Sequence, residues 1–196
     1  MKRSLYIVFI ALMIFALTAC QAATTTPATT TAATAAPAGP QSVEVYKNQP
    51  DYWLTISLPA GWTAHIGGSS FAKNVTISDD WTGYQAGNGK ATGIVVTWLT
   101  DKASAGDALQ SAIKRLDTML TQPKGQAALE QANGQSYASV EYDGKSTVDG
   151  ASVAAYFLAI VSNGKRDILV MASVPDDQRT YIKPIFQSVI KGITVH

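Results

Sequence analysis

The chain has 196 residues, with 15 Lys and Arg against 14 Asp and Glu, two His and a single Cys. With Lys2 and Arg3 at the start set aside, 13 basic and 14 acidic side chains remain, a near-neutral balance that points to neither nucleic acid nor an acidic lipid surface as a partner. One Cys excludes a disulfide framework within the chain, and two His with one Cys are too few for an ordinary zinc site.

The chain opens on Met1-Lys2-Arg3, continues as an uncharged apolar run from Leu5 to Leu17, and reaches Leu17-Thr18-Ala19-Cys20. A basic start and an apolar stretch too short to span a bilayer comfortably have the layout of a secretory signal. Leu17 to Cys20 resembles the lipobox of bacterial lipoproteins: a branched apolar residue, two small residues and Cys. The resemblance implies cleavage after residue 19 and fatty acylation of Cys20, which anchors the chain on the extracytoplasmic face of a membrane, since several acyl chains hold where one binds only marginally. The rival readings are an ordinary signal with a chance Cys and an uncleaved anchor helix.

Residues 20–40 after the signal are nearly all Ala, Thr and Pro, without charge or large apolar side chains. They read as a flexible, partly extended tether. Residues 41–196 have the length of one ordinary domain.

Within that domain, Leu54, Ile56 and Leu58 alternate with polar neighbours, as do Trp62, Ala64 and Ile66, and Val75 and Ile77. Period two predicts half-buried strands. Gly93 to Leu99, Ala151 to Val161 and Ile168 to Val174 are apolar almost throughout and predict strands covered on both faces. Asn133-Gly134, Asp143-Gly144 and Asn163-Gly164 favour positive φ, and two of them separate strand-like runs as hairpin turns do. The second half therefore reads as an antiparallel meander.

Two helices are expected, near 104–121 and 176–191. Ser104 with Asp107 forms a capping box ahead of a stripe of Leu109, Ile113, Leu116, Met119 and Leu120. Asp176-Asp177 opens the second, whose stripe is Tyr181, Ile182, Ile185, Phe186, Val189 and Ile190, with Pro184 expected to kink or restart it. Placed on opposite faces, these give an α+β fold in which an antiparallel sheet is sandwiched between helices.

The order of elements resembles the family of the photosystem II extrinsic subunit PsbP and its bacterial relatives, LpqN-type lipoproteins among them. The likeness is carried by Ile56-Ser57-Leu58-Pro59-Ala60-Gly61-Trp62, by Ile168 through Pro175, and by Tyr181, Pro184-Ile185-Phe186, Val189-Ile190 and Gly192-Ile193. It implies a PsbP-like α/β/α sandwich over most of residues 43–195. Assembly and stabilising factors belong to that family, and no catalytic set comes with the resemblance.

The residues themselves offer little chemistry. A hydrolase needs a nucleophile within reach of a base, yet His65 is the one histidine away from the chain end and no Gly-x-Ser-x-Gly elbow is present. Asp79-Asp80 and Asp176-Asp177 lack calcium-loop spacing, Gly87-Asn88-Gly89-Lys90 lacks that of a phosphate loop, and no cofactor or metal is expected. Asn74-Val75-Thr76 fits a glycosylation pattern by chance. The polar stretch from Ser78 to Lys90 carries Asp79, Asp80, Trp81 and Tyr84, and aromatic residues on a polar loop anchor binding surfaces. The other reading is that Trp81 folds back to plug the sheet end.

Two functions follow. One is a non-enzymatic accessory module docking on an envelope or membrane protein complex; the other is a small-ligand lipoprotein holding a lipid or solute between sheet and helix. A filled core favours the first and a lined apolar cavity the second.

Overall fold

A computed structural model describes residues 41–68, 73–86, 91–99, 104–132, 134–146 and 152–196. The signal, Cys20, the tether and the Gly87–Lys90 turn lie outside the described residues.

In chain order the elements are β1 (Gln41–Val45), β2 (Leu54–Leu58), β3 (Thr63–Gly68), β4 (Lys73–Ser78), α1 (Trp81–Ala86), β5 (Gly93–Trp98), α2 (Ala105–Arg115), β6 (Leu120–Pro123), β7 (Ala128–Ala132), β8 (Gln135–Lys145), β9 (Val153–Ser162), β10 (Asp167–Pro175), a 3-10 turn (Asp176–Gln178), α3 (Arg179–Lys191) and β11 (Ile193–Val195). One large sheet runs β3-β4-β5-β10-β9-β8-β6, with β7 also paired to β8; a small sheet runs β1-β2-β11. Every pairing is antiparallel, so the expected meander is present as β7-β8-β9-β10.

The core is built around β9, where nine of ten residues are buried. Successive side chains of a strand point to opposite faces. Tyr156, Leu158 and Ile160 accordingly join Ala108 and Leu109 of α2 in one apolar cluster. Phe157, Ala159 and Val161 join Ile182, Phe186, Val189 and Ile190 of α3, together with Leu54, Ile56, Ile193 and Val195 of the small sheet, in the other. Burial of each large side chain contributes about 1.5–3 kcal/mol. The expectation of helices on opposite faces holds, but a sheet sandwiched between helices overstates their share: strands dominate, and the small sheet closes much of the α3 face.

Local signals account for several boundaries. Ser104 caps α2, its Oγ accepting from the Asp107 N–H at 3.2 Å and donating to the Asp107 carboxylate at 2.6 Å. The helix stops at Arg115, short of the expected 121. Leu116, Met119 and Leu120 still pack with α2, but Leu120 does so from β6, paired with Gly144. The stripe recorded shared burial rather than continued helix. Helix α3 starts after the 3-10 turn and runs through Pro184 without a restart, and Tyr181, counted in its stripe, is 51% exposed.

Asn163-Gly164 turns β9 into β10, with Gly164 at φ 78° and Asn163 Oδ1 accepting from the N–H groups of Lys165 and Arg166. Gly134, at φ 73°, lies between β7 and β8. Asp143-Gly144, read as a turn, instead lies inside β8 opposite Ala155 and Ala154. The glycine is needed there for closeness: a Cβ on Gly144 would lie 2.5 Å from the Tyr156 ring.

Candidate functional site

The structure brings Asp79, Asp80, Trp81 and Tyr84 together, but on a short helix rather than an open loop. Asp80 caps α1, accepting the Gly83 N–H at 3.0 Å. Asp79 Oδ1 accepts the N–H groups of Asp80 and Thr92, each at 2.9 Å, which ties the exit of β4 to the entry of β5. The Asp80 carboxylate thus satisfies a backbone donor at the helix start, and that of Asp79 satisfies two donors that flank α1.

Trp81 is half-buried and lies parallel to His65 of β3, with ring centroids 3.9 Å apart and planes 7° from parallel. His65 is itself half-buried, its Nε2 bonded with Thr63 Oγ1 at 2.9 Å. Tyr84 continues the stack at 6.0 Å from Trp81 and lies against Gly93, where an added Cβ would meet its ring at 2.1 Å. Burial raises the Tyr84 hydroxyl pKa. Trp62 is buried as expected, whereas Trp98 is half-buried at the margin of the core.

A second surface was not visible in the sequence. All five residues of β7 are exposed, and Leu129 is 70% exposed, the most exposed large apolar side chain described. β7 pairs with β8 along one edge, and no strand among the described residues pairs with the other. Such an edge presents a row of unpaired backbone donors and acceptors. Beside it lies an open hollow of about 360 Å³, lined by Ser104, Ala105, Gly106, Leu129, Glu130 and Tyr137. Ala-Leu-Glu-Gln-Ala shows no alternation, and Asn133-Gly134 was the sole sign that a strand preceded β8.

The charged residues of β8 serve α3. Arg179 binds Glu141, Asp143 and, at 2.6 Å, Asp176; Lys183 reaches Glu141 at 2.9 Å and Lys124 reaches Asp143 at 2.7 Å. Burial pushes the Glu141 carboxyl up, but hydrogen bonds from Lys183 and Arg179 outweigh it and hold it below the ordinary carboxylate range. Lys124, then Arg179, do the same for Asp143 against a smaller burial effect. Among the described residues no three His, Cys, Asp or Glu converge as metal ligands.

An antiparallel sheet carrying one helix on each face, with a small sheet closing the α3 side, is the Mog1/PsbP-like fold. Solved structures that the chain resembles include LpqN of Mycobacterium tuberculosis, involved in cell envelope biogenesis (17% identity over 79% of this chain and 90% of that one, TM-score 0.55). They also include cyanobacterial PsbP (CyanoP) of Synechocystis sp. PCC 6803 (18% identity, 83% and 95%, TM-score 0.52). The Ran-binding protein Mog1p of Saccharomyces cerevisiae shares the fold as well (16% identity, 80% and 95%, TM-score 0.51). The chain spans 45% of a longer Bacteroides thetaiotaomicron protein, too loosely to carry an argument. No family model matches the chain, and no curated protein matches it.

Proposed function

We propose that this protein is a lipid-anchored extracytoplasmic accessory module that docks on an envelope or membrane protein complex through the free edge of β7, with no chemistry of its own. The observation that carries this reading is β7 itself, a strand paired with β8 along one edge only, with every residue exposed and Leu129 beside an open hollow. An extended segment of a partner adds to such an edge by backbone hydrogen bonds, while side-chain pockets give selectivity.

Three further observations support it. Apolar side chains of the large sheet pack against α2 in one cluster and against α3 in the other, and the hollows beside the two helices are open and partly polar, which favours a docking module over a receptor enclosing a solute. The lipobox-like Leu17–Cys20 points to attachment through acyl chains on Cys20, with residues 1–19 as signal and 20–40 as tether; no helix among the described residues is long and apolar enough to cross a membrane. Two proteins of the same fold are described by a process or a partner, cell envelope biogenesis for LpqN and Ran binding for Mog1p. Trp81 and Tyr84 are the secondary contact in this reading, because both are only half-buried while Asp79 and Asp80 are engaged by backbone N–H groups.

Affinity capture from solubilised membranes tests the reading, using the full-length chain and its Leu129→Arg variant. The expected result is a discrete membrane-protein partner retained by the parent chain and lost by the variant, with thermal unfolding unchanged. Equal retention by both would contradict docking at β7.

A further inference from the structure

An aromatic cluster remote in sequence from both candidate surfaces carries an inference beyond docking. Tyr46 follows β1 at φ 53°, a left-handed backbone conformation uncommon for a bulky side chain. Hydrogen bonds from Gln49 N–H to Tyr46 O and from Tyr52 N–H to Gln49 O, each 2.8 Å, hold the turn that follows. Strained conformations of this kind persist where the surroundings over-determine them, and they concentrate at functional sites.

The turn sets two tyrosines against Trp98 at the end of β5. Tyr46 meets the indole at 5.2 Å and 86°, Tyr52 meets it at 5.9 Å and 73°, and the two phenol rings are 6.3 Å apart at 58°. Steep angles at these distances make walls rather than a stack. The Tyr46 hydroxyl donates to Gly67 O at 2.7 Å, which fixes that wall from its far end. All three rings are half-buried, so each keeps accessible surface.

A cation already occupies this setting. Lys73, at the start of β4, belongs to the row next to Trp98 in the register that pairs Asn74 with Thr97. Its Nζ lies 5.4 Å from the Tyr46 ring centroid and 5.9 Å from that of Tyr52. Both distances fall within the roughly 6 Å over which a ring face attracts a cation.

We propose that Tyr46, Tyr52 and Trp98 form a cation-recognition site for a quaternary ammonium group, with Lys73 as its resident occupant in the free protein. A primary ammonium is a compact, strongly hydrated charge and gives up much hydration among apolar rings. A trimethylammonium group spreads the same charge over methyl groups, loses less hydration and fills the space between ring faces by contact. The lysine's flexible four-carbon stem lets the resident amine swing out when the tighter-fitting cation enters.

The test uses the full-length chain, labelled with nitrogen-15, in a detergent without a choline headgroup. Choline chloride is titrated against sodium chloride at matched ionic strength, and against the uncharged isostere in which carbon replaces the quaternary nitrogen. The readout is the Trp98 indole N–H resonance, assigned through Trp98→Phe; that N–H is buried without a hydrogen-bond partner among the described residues. Choline should move it saturably with a midpoint in roughly the millimolar range, and the isostere should be at least about tenfold weaker. Lys73→Met, which removes the resident charge without touching the rings, should tighten choline binding by about fivefold. Tyr52→Leu should weaken it by at least about tenfold while the rest of the spectrum keeps its dispersion. The proposal is overturned if choline gives no saturable shift in either the parent chain or Lys73→Met, if the isostere matches choline, or if Tyr52→Leu binds like the parent.

Discussion

Gly144→Ala tests the packing that holds β8 against β9 and β6. An ideal Cβ at this position would lie 2.5 Å from Tyr156 Cε2 and 2.6 Å from both Tyr156 Cδ2 and the Met119 carbonyl oxygen. Carbon contacts relax near 3.5–4.0 Å, so a neighbour must retreat by about 1 Å. Neither is free to do so. Tyr156 is fully buried, and its hydroxyl donates to Lys145 O at 2.6 Å; Met119 O accepts the Lys145 N–H at 2.9 Å. Overpacking of this kind costs about 1–3 kcal/mol, and loss of one hydrogen bond adds about 1 kcal/mol. Reduced freedom of the unfolded chain returns about 0.4–1 kcal/mol, leaving a net loss of about 1–3.5 kcal/mol. At about 2–4 °C per kcal/mol for a domain of this size, Tm should fall by roughly 2–14 °C in calorimetry. Gly106→Ala on α2 is the control: its nearest neighbour would be Leu129 Cδ2 of β7, 3.8 Å away, and the helix should gain up to about 1 kcal/mol. A Gly144→Ala protein melting within about 1 °C of the parent would refute the close approach of Tyr156 and Met119.

Trp81→Ala should lower Tm, because the indole packs on His65 and Tyr84; half-burial sets the loss at about 1.5–3 kcal/mol, below that of a core aromatic, and an unchanged Tm would show the ring to be a free anchor. Arg179→Met should cost about 1–3 kcal/mol at neutral pH by stripping Glu141 and Asp143 of their shared donor, as thermal unfolding would record. Both carboxyls sit below their ordinary pKa in the folded chain, so their contribution is present above the unfolded carboxylate range and is lost as pH falls through the lowered folded values. The gap between parent and Arg179→Met should therefore narrow as pH falls from about 5 through those lowered values, and a constant gap would speak against the ion network. Mass spectrometry of the mature chain should find acylated Cys20 at its start, and Cys20→Ser should remain unprocessed; an unmodified start elsewhere would remove the anchor.

Legibility in the sequence followed burial. β2, β4, β5, β9 and β10 were readable because a strand with one or both faces in the core must write a period of two or an apolar run. The α2 start was readable because Ser104 and Asp107 form a local cap. β7, whose side chains all face water, writes no such pattern and went unseen for that reason; β1 has only the short alternation Val43-Glu44-Val45, with Val45 in the core. Asp143-Gly144 misled because glycine serves close approach as well as turning, and the dipeptide alone does not distinguish them. Of the candidate site, the sequence named Asp79, Asp80, Trp81 and Tyr84 together, but not their partner His65, which reaches Trp81 only through the β3–β4 pairing.

The central claim is docking at β7, and amide hydrogen exchange on the captured complex tests it most directly. The account predicts that amides of Ala128–Ala132 become strongly protected on partner binding while those of the opposite edge strand, Thr63–Gly68, exchange as in the free chain. Unchanged exchange along Ala128–Ala132 in a complex that is demonstrably formed would contradict it.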